Sequence, residues 1–370
     1  MADDRSMKGR RVGWSAASLL IAASTWFLSV PGQVAASGAD AAVESGFGAG
    51  ESDTLSTFEA IAEAESSLSV RVSQLRRVLE IGPNGPAWTG IREDLTMTPD
   101  PSGSGEARFD LQFAGMEGAT SVAMSEPTRR ELYRGYAGYL HLHANFRVVD
   151  AALAAQNYLV VDLGARVRLD RPTRRIALLP RQLGRSPWVL ELDATTSYPL
   201  YRAEFNPAGI LVSTLEVTRF EEVPPQSLAG HTFWQPTRNV EDFPSVQTAV
   251  LSLAAENQPV LPTSNRIPAG YQFSNARVVR ELLRPESSLV VTYTDGIDEI
   301  FVVSTFGASA PNLPILTARG SYAILAYQDQ NVAQFLFHVG SVTTMVVGRA
   351  GQFALPSIAE ELLARSLARR

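Results

Sequence analysis

The stretch WVLELDATTSYPLYRAEFNPAGILVSTLEVTRFEEV, residues 188–223, decides which fold the sequence predicts. Its apolar residues fall at alternate positions, which is the pattern of a strand with one buried face. Trp188, Leu190 and Leu192 share one side of the first strand in this pattern. Residues 206–209, NPAG, have the composition of a tight turn. The stretch therefore predicts three consecutive antiparallel strands joined by two short turns.

The same alternation recurs before this stretch. Residues 106–113 alternate strictly, and residues 158–163, 165–170 and 174–180 are predicted to form three strands of a meander. Two amphipathic helices are predicted ahead of the meander, starting near residues 52 and 125. They would cover the apolar face of a long curved sheet. Incomplete cover would leave a lipophilic groove, whereas a fully packed core fits the same pattern.

A second, smaller domain is predicted over residues 267–370. Asp295-Gly296 is a strong hairpin signal between two runs typical of strands. Strand patterns at residues 322–327, 332–339 and 342–347 complete a small antiparallel sheet. A terminal helix is predicted from Ser357, because Ser357 and Glu360 form a capping box. The predicted fold class of the whole chain is α+β.

The N-terminus is typical of an exported protein. Lys8, Arg10 and Arg11 precede an apolar-leaning run, and small residues at positions 34–36 offer a cleavage site. The alternative is an uncleaved anchor, because a run of about 19 such residues can just cross a bilayer. Either way, a periplasmic location is predicted. The predicted segments are a signal peptide at 1–36, a disordered segment at 37–51, a first domain at 52–243, a linker at 244–266 and a second domain at 267–370.

The composition excludes several classes of site. The chain has 370 residues, a formal net charge of -6 and 0 cysteines, so disulfides, thiolate nucleophiles and cysteine zinc sites are excluded. An acidic chain without a basic run is a poor candidate for binding nucleic acid. The four histidines are isolated or badly spaced for a metal, and no G-x-S-x-G motif occurs. No catalytic residue, metal or cofactor is therefore predicted, and an envelope hydrolase is the weakest functional class.

Arginines are concentrated in the meander. Arg166, Arg168, Arg174 and Arg185 are predicted to form a positive rim that meets an anionic lipid head group or an acidic partner segment. The alternative is a solvated sheet face whose charges are balanced by nearby acids.

Several segments resemble the MucB/RseB family, the periplasmic negative regulators of the sigma-E envelope-stress pathway. In the first domain the resemblance rests on R-x-x-R-x-x-A-L-L-P-R-x-x-G-R at residues 171–185, L-x-L-D at 190–193 and P-L-Y-R at 199–202. In the second it rests on P-A-G-Y at 268–271, Y-T-D-G-I at 293–297 and V-T-T-M-V-V-G at 342–348. The chain departs from the family where Arg185-Ser186-Pro187 replaces Arg-Tyr-Gly.

The resemblance implies both a fold and a function. It implies an N-terminal domain with the LolA-like fold of lipoprotein carriers, an unclosed β-barrel wrapped on helices, followed by a smaller C-terminal domain. It also implies a non-enzymatic protein that binds the periplasmic segment of a membrane anti-sigma factor and responds to lipid or acyl chains. The alternative function is that of a lipoprotein carrier or general lipid-binding protein.

Overall fold

A computed structural model describes residues 51–82, 85–102, 107–117, 126–143, 145–235, 239–253, 259–280, 287–307, 317–319, 322–329, 332–349 and 354–369. The predicted signal peptide, and the predicted disordered segment up to residue 50, lie outside the described residues. The described chain is α+β, as predicted, and its strands form two antiparallel sheets.

The first sheet contains eight strands and carries three helices. The strands are Val70–Gly82 (β1), Gly85–Pro99 (β2), Ala107–Glu117 (β3), Tyr158–Arg168 (β4), Arg171–Pro180 (β5), Trp188–Asp193 (β6), Pro199–Phe205 (β7) and Leu211–Glu222 (β8). The helices are Glu51–Ser67 (α1), Glu126–Leu142 (α2) and Ala151–Asn157 (α3). The strand order is β3-β2-β1-β8-β7-β6-β5-β4. Because β3 and β4 stand at opposite ends of this order, the sheet does not close into a barrel, as predicted.

The stretch 188–223 forms β6, β7 and β8, which confirms the prediction from its alternation. Trp188, Leu190 and Leu192 are buried on the same face of β6. The turn before β8 includes Gly209 at a φ of 78°, a left-handed conformation that glycine adopts without steric cost. Strand β8 then pairs with β1, so the meander joins the N-terminal hairpins in one continuous sheet.

Helices cover the apolar face of this sheet in two clusters. Phe58 and Ile61 of α1 are fully buried against β4, β5 and β6. Tyr133 and Ala137 of α2 pack against β1, β2 and β3. Burial of such apolar faces is the main source of stability for a sheet and helices that could not fold alone.

The second sheet has eight strands. They are Asn239–Phe243 (β9), Gln272–Arg280 (β10), Ser287–Thr294 (β11), Glu299–Phe306 (β12), Thr317–Arg319 (β13), Tyr322–Asp329 (β14), Val332–Val339 (β15) and Val342–Gly348 (β16). Their order is β13-β14-β15-β16-β12-β11-β10-β9. The helices Val246–Ser252 (α4) and Ala354–Ala368 (α5) cover one face, where Ile358 and Leu362 of α5 are fully buried.

Two sequence predictions are wrong in detail. Residues 158–163 and 165–170 were predicted as separate strands, but they belong to one strand, β4, which contains a bulge at Gly164 and ends in a turn with Leu169 and Asp170 at positive φ. The terminal helix begins at Ala354, so Ser357 lies inside it and is not its cap. Its hydroxyl instead accepts a hydrogen bond from Arg266.

Elements near the predicted linker contribute to the second sheet. Strand β9, inside the predicted first domain, pairs with β10. Ala249 and Val260, inside the predicted linker, are buried in the second core. We therefore expect the two folding units to separate before Asn239.

Candidate functional site

The two sheets meet where the turn after β11 inserts beside helix α3. The carbonyl of Gly296 accepts hydrogen bonds from the backbone N–H groups of Val149 (2.8 Å) and Asp150 (3.2 Å). Gly296 has a φ of 101°, and a Cβ atom at this position would lie 2.2 Å from the backbone nitrogen of Ala154. Only glycine fits both the conformation and the close approach. We call this contact the interdomain junction, formed by residues 149–158, 185, 204, 268–271, 295–298 and 349.

Arg185, in the loop after β5, brings a positive charge into the interdomain junction. Its Nη1 donates to Oδ2 of Asp295 at 2.9 Å, and both side chains are at most 4% exposed. Its Nη2 donates to the carbonyl of Ala269. The hydroxyl of Tyr158 donates to the same Asp295 oxygen at 3.0 Å. The junction is thus a hydrogen-bonded contact around one buried ion pair, and such charges are costly to bury unless they are paired.

Asn157 adds a second bridge at the end of α3. The two hydrogens of its Nδ2 are shared among three carbonyls, those of Gly270 (3.0 Å) and Asp295 (2.9 Å) in the second domain and that of Leu153 (3.0 Å) in its own helix. A single buried amide therefore joins both family-like segments of the second domain to α3.

The interdomain junction contains more carboxyl groups than guanidinium groups. Asp298 and Glu204 are buried beside the pair already described, and Nη1 of Arg349 donates to Oε2 of Glu204 at 3.1 Å. Burial raises the pKa of Asp298 well above its usual range, the Asp295 carboxylate raises it further, and Arg349 opposes the shift. Burial also raises the pKa of Asp295, but Arg185 and two backbone N–H groups oppose it. Three carboxyl groups thus face two guanidinium groups, and the raised pKa of Asp298 favours its neutral form there.

Three of the four arginines of the predicted rim, Arg166, Arg168 and Arg174, lie on the adjacent strands β4 and β5, and Arg185 lies in the loop after β5. Arg168 is paired with Glu191 and Glu216, each at 2.7 Å. Arg174 is paired with Asp162 at 2.7 Å. In these three ion pairs, nearby acids balance the charges of Arg168 and Arg174.

The other two arginines of the predicted rim have different surroundings. Arg166 is exposed on β4 and donates from Nη1 to the carbonyl of Ala165 at 3.0 Å. Arg185 is buried in the interdomain junction. The role of the four as a binding rim stays a prediction.

A polar cavity of about 20 Å³ lies under the first sheet, between α1 and the end of α2. Five buried atoms beside it have no hydrogen-bond partner in the described chain: Glu65 Oε2, Gln74 Oε1, His141 Nδ1, Asn145 Oδ1 and Arg202 Nε. A cavity of this size and polarity holds about one water molecule, which could satisfy several of these atoms. It does not have room for an acyl chain.

The walls of this polar cavity carry charged and titratable groups. Nη2 of Arg202 donates to Oε1 of Glu65 at 3.1 Å. Burial raises the pKa of Glu65, and Arg202 opposes that shift. Burial lowers the pKa of His141 to about 3, and Arg147 and Arg202 add to the decrease. His141 is therefore neutral at physiological pH, packed against the ring of Phe109 with the centroids 4.2 Å apart.

The described part of the chain has neither a metal-ligand cluster nor a membrane-spanning helix. No group of three or more histidine, aspartate or glutamate side chains there could hold a metal ion. No helix there is both long and apolar enough to cross a membrane.

The interdomain junction was not predicted from the sequence. Asp295 was explained there by its turn, and Arg185 was assigned to an exposed rim. One signal was present, because both residues belong to the segments that resemble one family.

Known proteins similar to this chain are found among solved structures. Neither a family model nor a curated protein matches the sequence. Among solved structures, the chain is similar to MucB in the MucA/MucB complex of Pseudomonas aeruginosa, with 16% identity over 83% of this chain and 97% of that one and a TM-score of 0.49. MucB alone matches with 16% identity over 83% and 96% and a TM-score of 0.48. A LolA superfamily protein from Nitrosomonas europaea matches with 12% identity over 47% and 96% and a TM-score of 0.18.

Proposed function

We propose that this protein is an exported, non-enzymatic binding protein of the MucB/RseB type, which binds the periplasmic segment of a membrane anti-sigma factor. The observation that carries the proposal is where the family-like segments meet. The arginine run of the first domain ends at Arg185, P-A-G-Y ends at Tyr271, and Y-T-D-G-I contains Asp295. The first segment is more than 80 residues from the other two in sequence, yet Arg185 contacts Ala269 and Asp295 of those two segments in the interdomain junction. The residues that carry the resemblance thus meet at the contact between the domains, which supports a resemblance over both domains.

The interdomain junction gives the protein a means of coupling two surfaces. It fixes the second domain against α3, so a partner that contacts both domains binds a preformed arrangement and loses less entropy on binding. A ligand that separates the domains would weaken binding of that partner. The partner would weaken binding of the ligand by the same free energy. Relief of anti-sigma binding by lipid or acyl chains is the corresponding part of this proposal.

The test is direct binding between purified partners. The full mature chain is titrated with the periplasmic segment of a single-span anti-sigma factor encoded beside it, and heat is measured by calorimetry. We expect a saturable complex of one to one stoichiometry. The control is the periplasmic segment of an anti-sigma factor from a different locus. No heat and no co-elution with the cognate segment at about 100 µM would reject the proposal, because specific regulatory complexes bind more tightly than that.

The second candidate is a lipoprotein carrier or lipid-binding protein. It is favoured by the unclosed first sheet, whose apolar face is covered by α1 and α2 and contains the polar cavity. Because that cavity is too small for an acyl chain, this function requires α2 to move away from the sheet. Saturable uptake of a fluorescent fatty acid, accompanied by loss of the contact between His141 and Phe109 in NMR spectra, would support it. Absence of uptake would contradict both the carrier function and the proposed response to lipid.

A further inference from the structure

The outer side of β4 is an exposed sheet edge. Strand β4 ends the strand order of the first sheet, and β5 is its one strand partner in the described chain. Residues 162–167 are exposed to solvent, and Val167 is 74% exposed although it is apolar. An exposed strand edge of this kind presents unpaired N–H and C=O groups to any extended chain that approaches it.

The neighbouring hydrogen bonds fix which backbone groups face outwards. The carbonyl of Pro172 accepts from the N–H of Ala194, so the backbone of Pro172 faces away from β4. Thr173 therefore faces β4, and its partner in the register is Arg166. Because both backbone groups of one residue point to the same side, those of Ala165 and Val167 point outwards. The bond from the Arg166 side chain to the Ala165 carbonyl agrees with this orientation.

The charge at this edge favours one kind of occupant. Arg168 and Arg174 have carboxylate partners, whereas no described carboxylate lies within bonding distance of Arg166. A second copy of the chain paired at this segment would bring two Arg166 side chains together, and like charges across a strand pair are unfavourable. An acidic strand has the opposite effect. When a backbone N–H of the acidic strand donates to the Ala165 carbonyl, the guanidinium of Arg166 loses that acceptor. It can then bind a carboxylate of the acidic strand.

We propose that the edge of β4 from Ala165 to Val167 binds an extended acidic segment of a protein partner by strand addition. The partner donates to the Ala165 carbonyl and pairs with the N–H and C=O of Val167, and it places a carboxylate against Arg166. This assignment rests on the proposed function for the partner's identity, and the chemistry of the edge defines what the partner's segment must contain.

The test uses variants that separate the backbone from the side chain. Val167→Pro removes the outward N–H but no bond to β5, because the N–H of Val167 does not face that strand. Val167→Thr is the matched control, because it keeps the N–H and a β-branched side chain. Arg166→Glu reverses the charge. Circular dichroism and thermal unfolding check that each full-length variant is folded.

Two probes are titrated into each variant. The first is the cognate anti-sigma segment, and the second is a synthetic peptide of alternating glutamate and valine, with a lysine and valine peptide as its control. We expect Val167→Pro and Arg166→Glu to weaken binding of the cognate segment by about tenfold or more, a change of about 1.4 kcal/mol. Val167→Thr should change this affinity by less than about threefold. The glutamate peptide should shift the NMR signals of the Ala165 and Val167 amides in the wild type.

The outcomes distinguish this inference from the proposed function. If the wild type binds the cognate segment and Val167→Pro binds it equally well, the edge assignment is wrong and the proposed function stands. If the cognate segment does not bind but the glutamate peptide shifts both amides, the proposed function fails and the edge assignment stands. If neither probe perturbs these amides, the edge assignment fails. A wild-type dimer that Val167→Pro converts to monomer would assign the edge to self-association and overturn the proposal.

Discussion

Nη1 of Arg185 lies 2.9 Å from Oδ2 of Asp295, across 110 residues of sequence and with both side chains removed from solvent. The ion pair joins the loop after β5 to the turn after β11. Its position makes the docking of the two sheets depend on charge and on hydrogen-bond geometry, in addition to apolar contact.

Removal of one partner of this ion pair should be strongly destabilising. Arg185→Leu leaves the Asp295 carboxylate buried without its guanidinium, and such changes cost about 3–5 kcal/mol. The free energy of unfolding is measured by urea denaturation. Arg174→Ala is the matched control, because Arg174 pairs with Asp162 at the surface and exposed pairs contribute about 0–1 kcal/mol. Equal losses in the two variants would contradict the importance assigned to the buried pair.

A methyl group at Gly296 should disrupt the interdomain junction. Gly296→Ala combines a positive φ with a Cβ 2.2 Å from the Ala154 backbone nitrogen. Gly209→Ala is the control, since Gly209 has a φ of 78° and no atom within 4 Å of the added Cβ. The free energy of unfolding of the control should fall by about 1 kcal/mol, the cost of the left-handed conformation alone. The Gly296 variant should lose clearly more stability than the control. Small-angle scattering should show that its radius of gyration is larger than that of the wild type. If the two variants behave alike, Gly296 is needed for its turn conformation and not for the junction.

His141 should make the protein less stable in acid. The pKa of His141 is lowered from 6.5 to about 3 in the folded protein, mainly by burial. Between these values the unfolded chain binds a proton that the folded protein does not, so stability falls as the pH falls. His141→Gln removes this difference in proton binding. When the pH is lowered from 7 to 5, the free energy of unfolding should fall by about 1–2 kcal/mol less in this variant than in the wild type. In NMR spectra the His141 ring signals should not titrate over this range, and a midpoint near pH 6.5 would contradict the burial.

The strands were predictable because their information is local. In β6, alternation places Trp188 and Leu190 on one face, and the sheet uses that face for its core. The extent of β4 was not predictable, because the turn at Leu169 and Asp170 adopts positive φ without the Asn-Gly or Asp-Gly residues that usually mark such hairpins.

The interdomain junction depends on long-range contacts that no local pattern contains. Arg185 was counted among exposed arginines because burial of a charge cannot be derived from composition, and its partner lies in another sheet. The segment predicted as a linker was rich in proline, yet Val260 of that segment is buried in the second core. In both cases tertiary packing overrides the local signal.

Asp298 should couple the stability of the interdomain junction to pH. Its pKa is raised well above 3.8, first by burial and then by the Asp295 carboxylate, while Arg349 and Arg185 oppose the shift and Glu204 adds to it. A carboxyl group with a raised pKa contributes its full stability below the unfolded value of 3.8, and this contribution is lost as the pH rises through the folded pKa.

Asp298→Asn tests this coupling, because the amide keeps the size of the side chain and cannot ionise. The free energy of unfolding of the variant and of the wild type is measured by urea denaturation from about pH 5 to pH 9, around the neutral range in which most proteins are most stable. We expect the variant to gain stability relative to the wild type as the pH rises, whatever the constant offset between amide and carboxylic acid. The slope of this difference is the observable, because groups outside the junction titrate equally in both proteins. A difference that stays constant over the whole range would mean that Asp298 does not take up a proton when the two sheets dock.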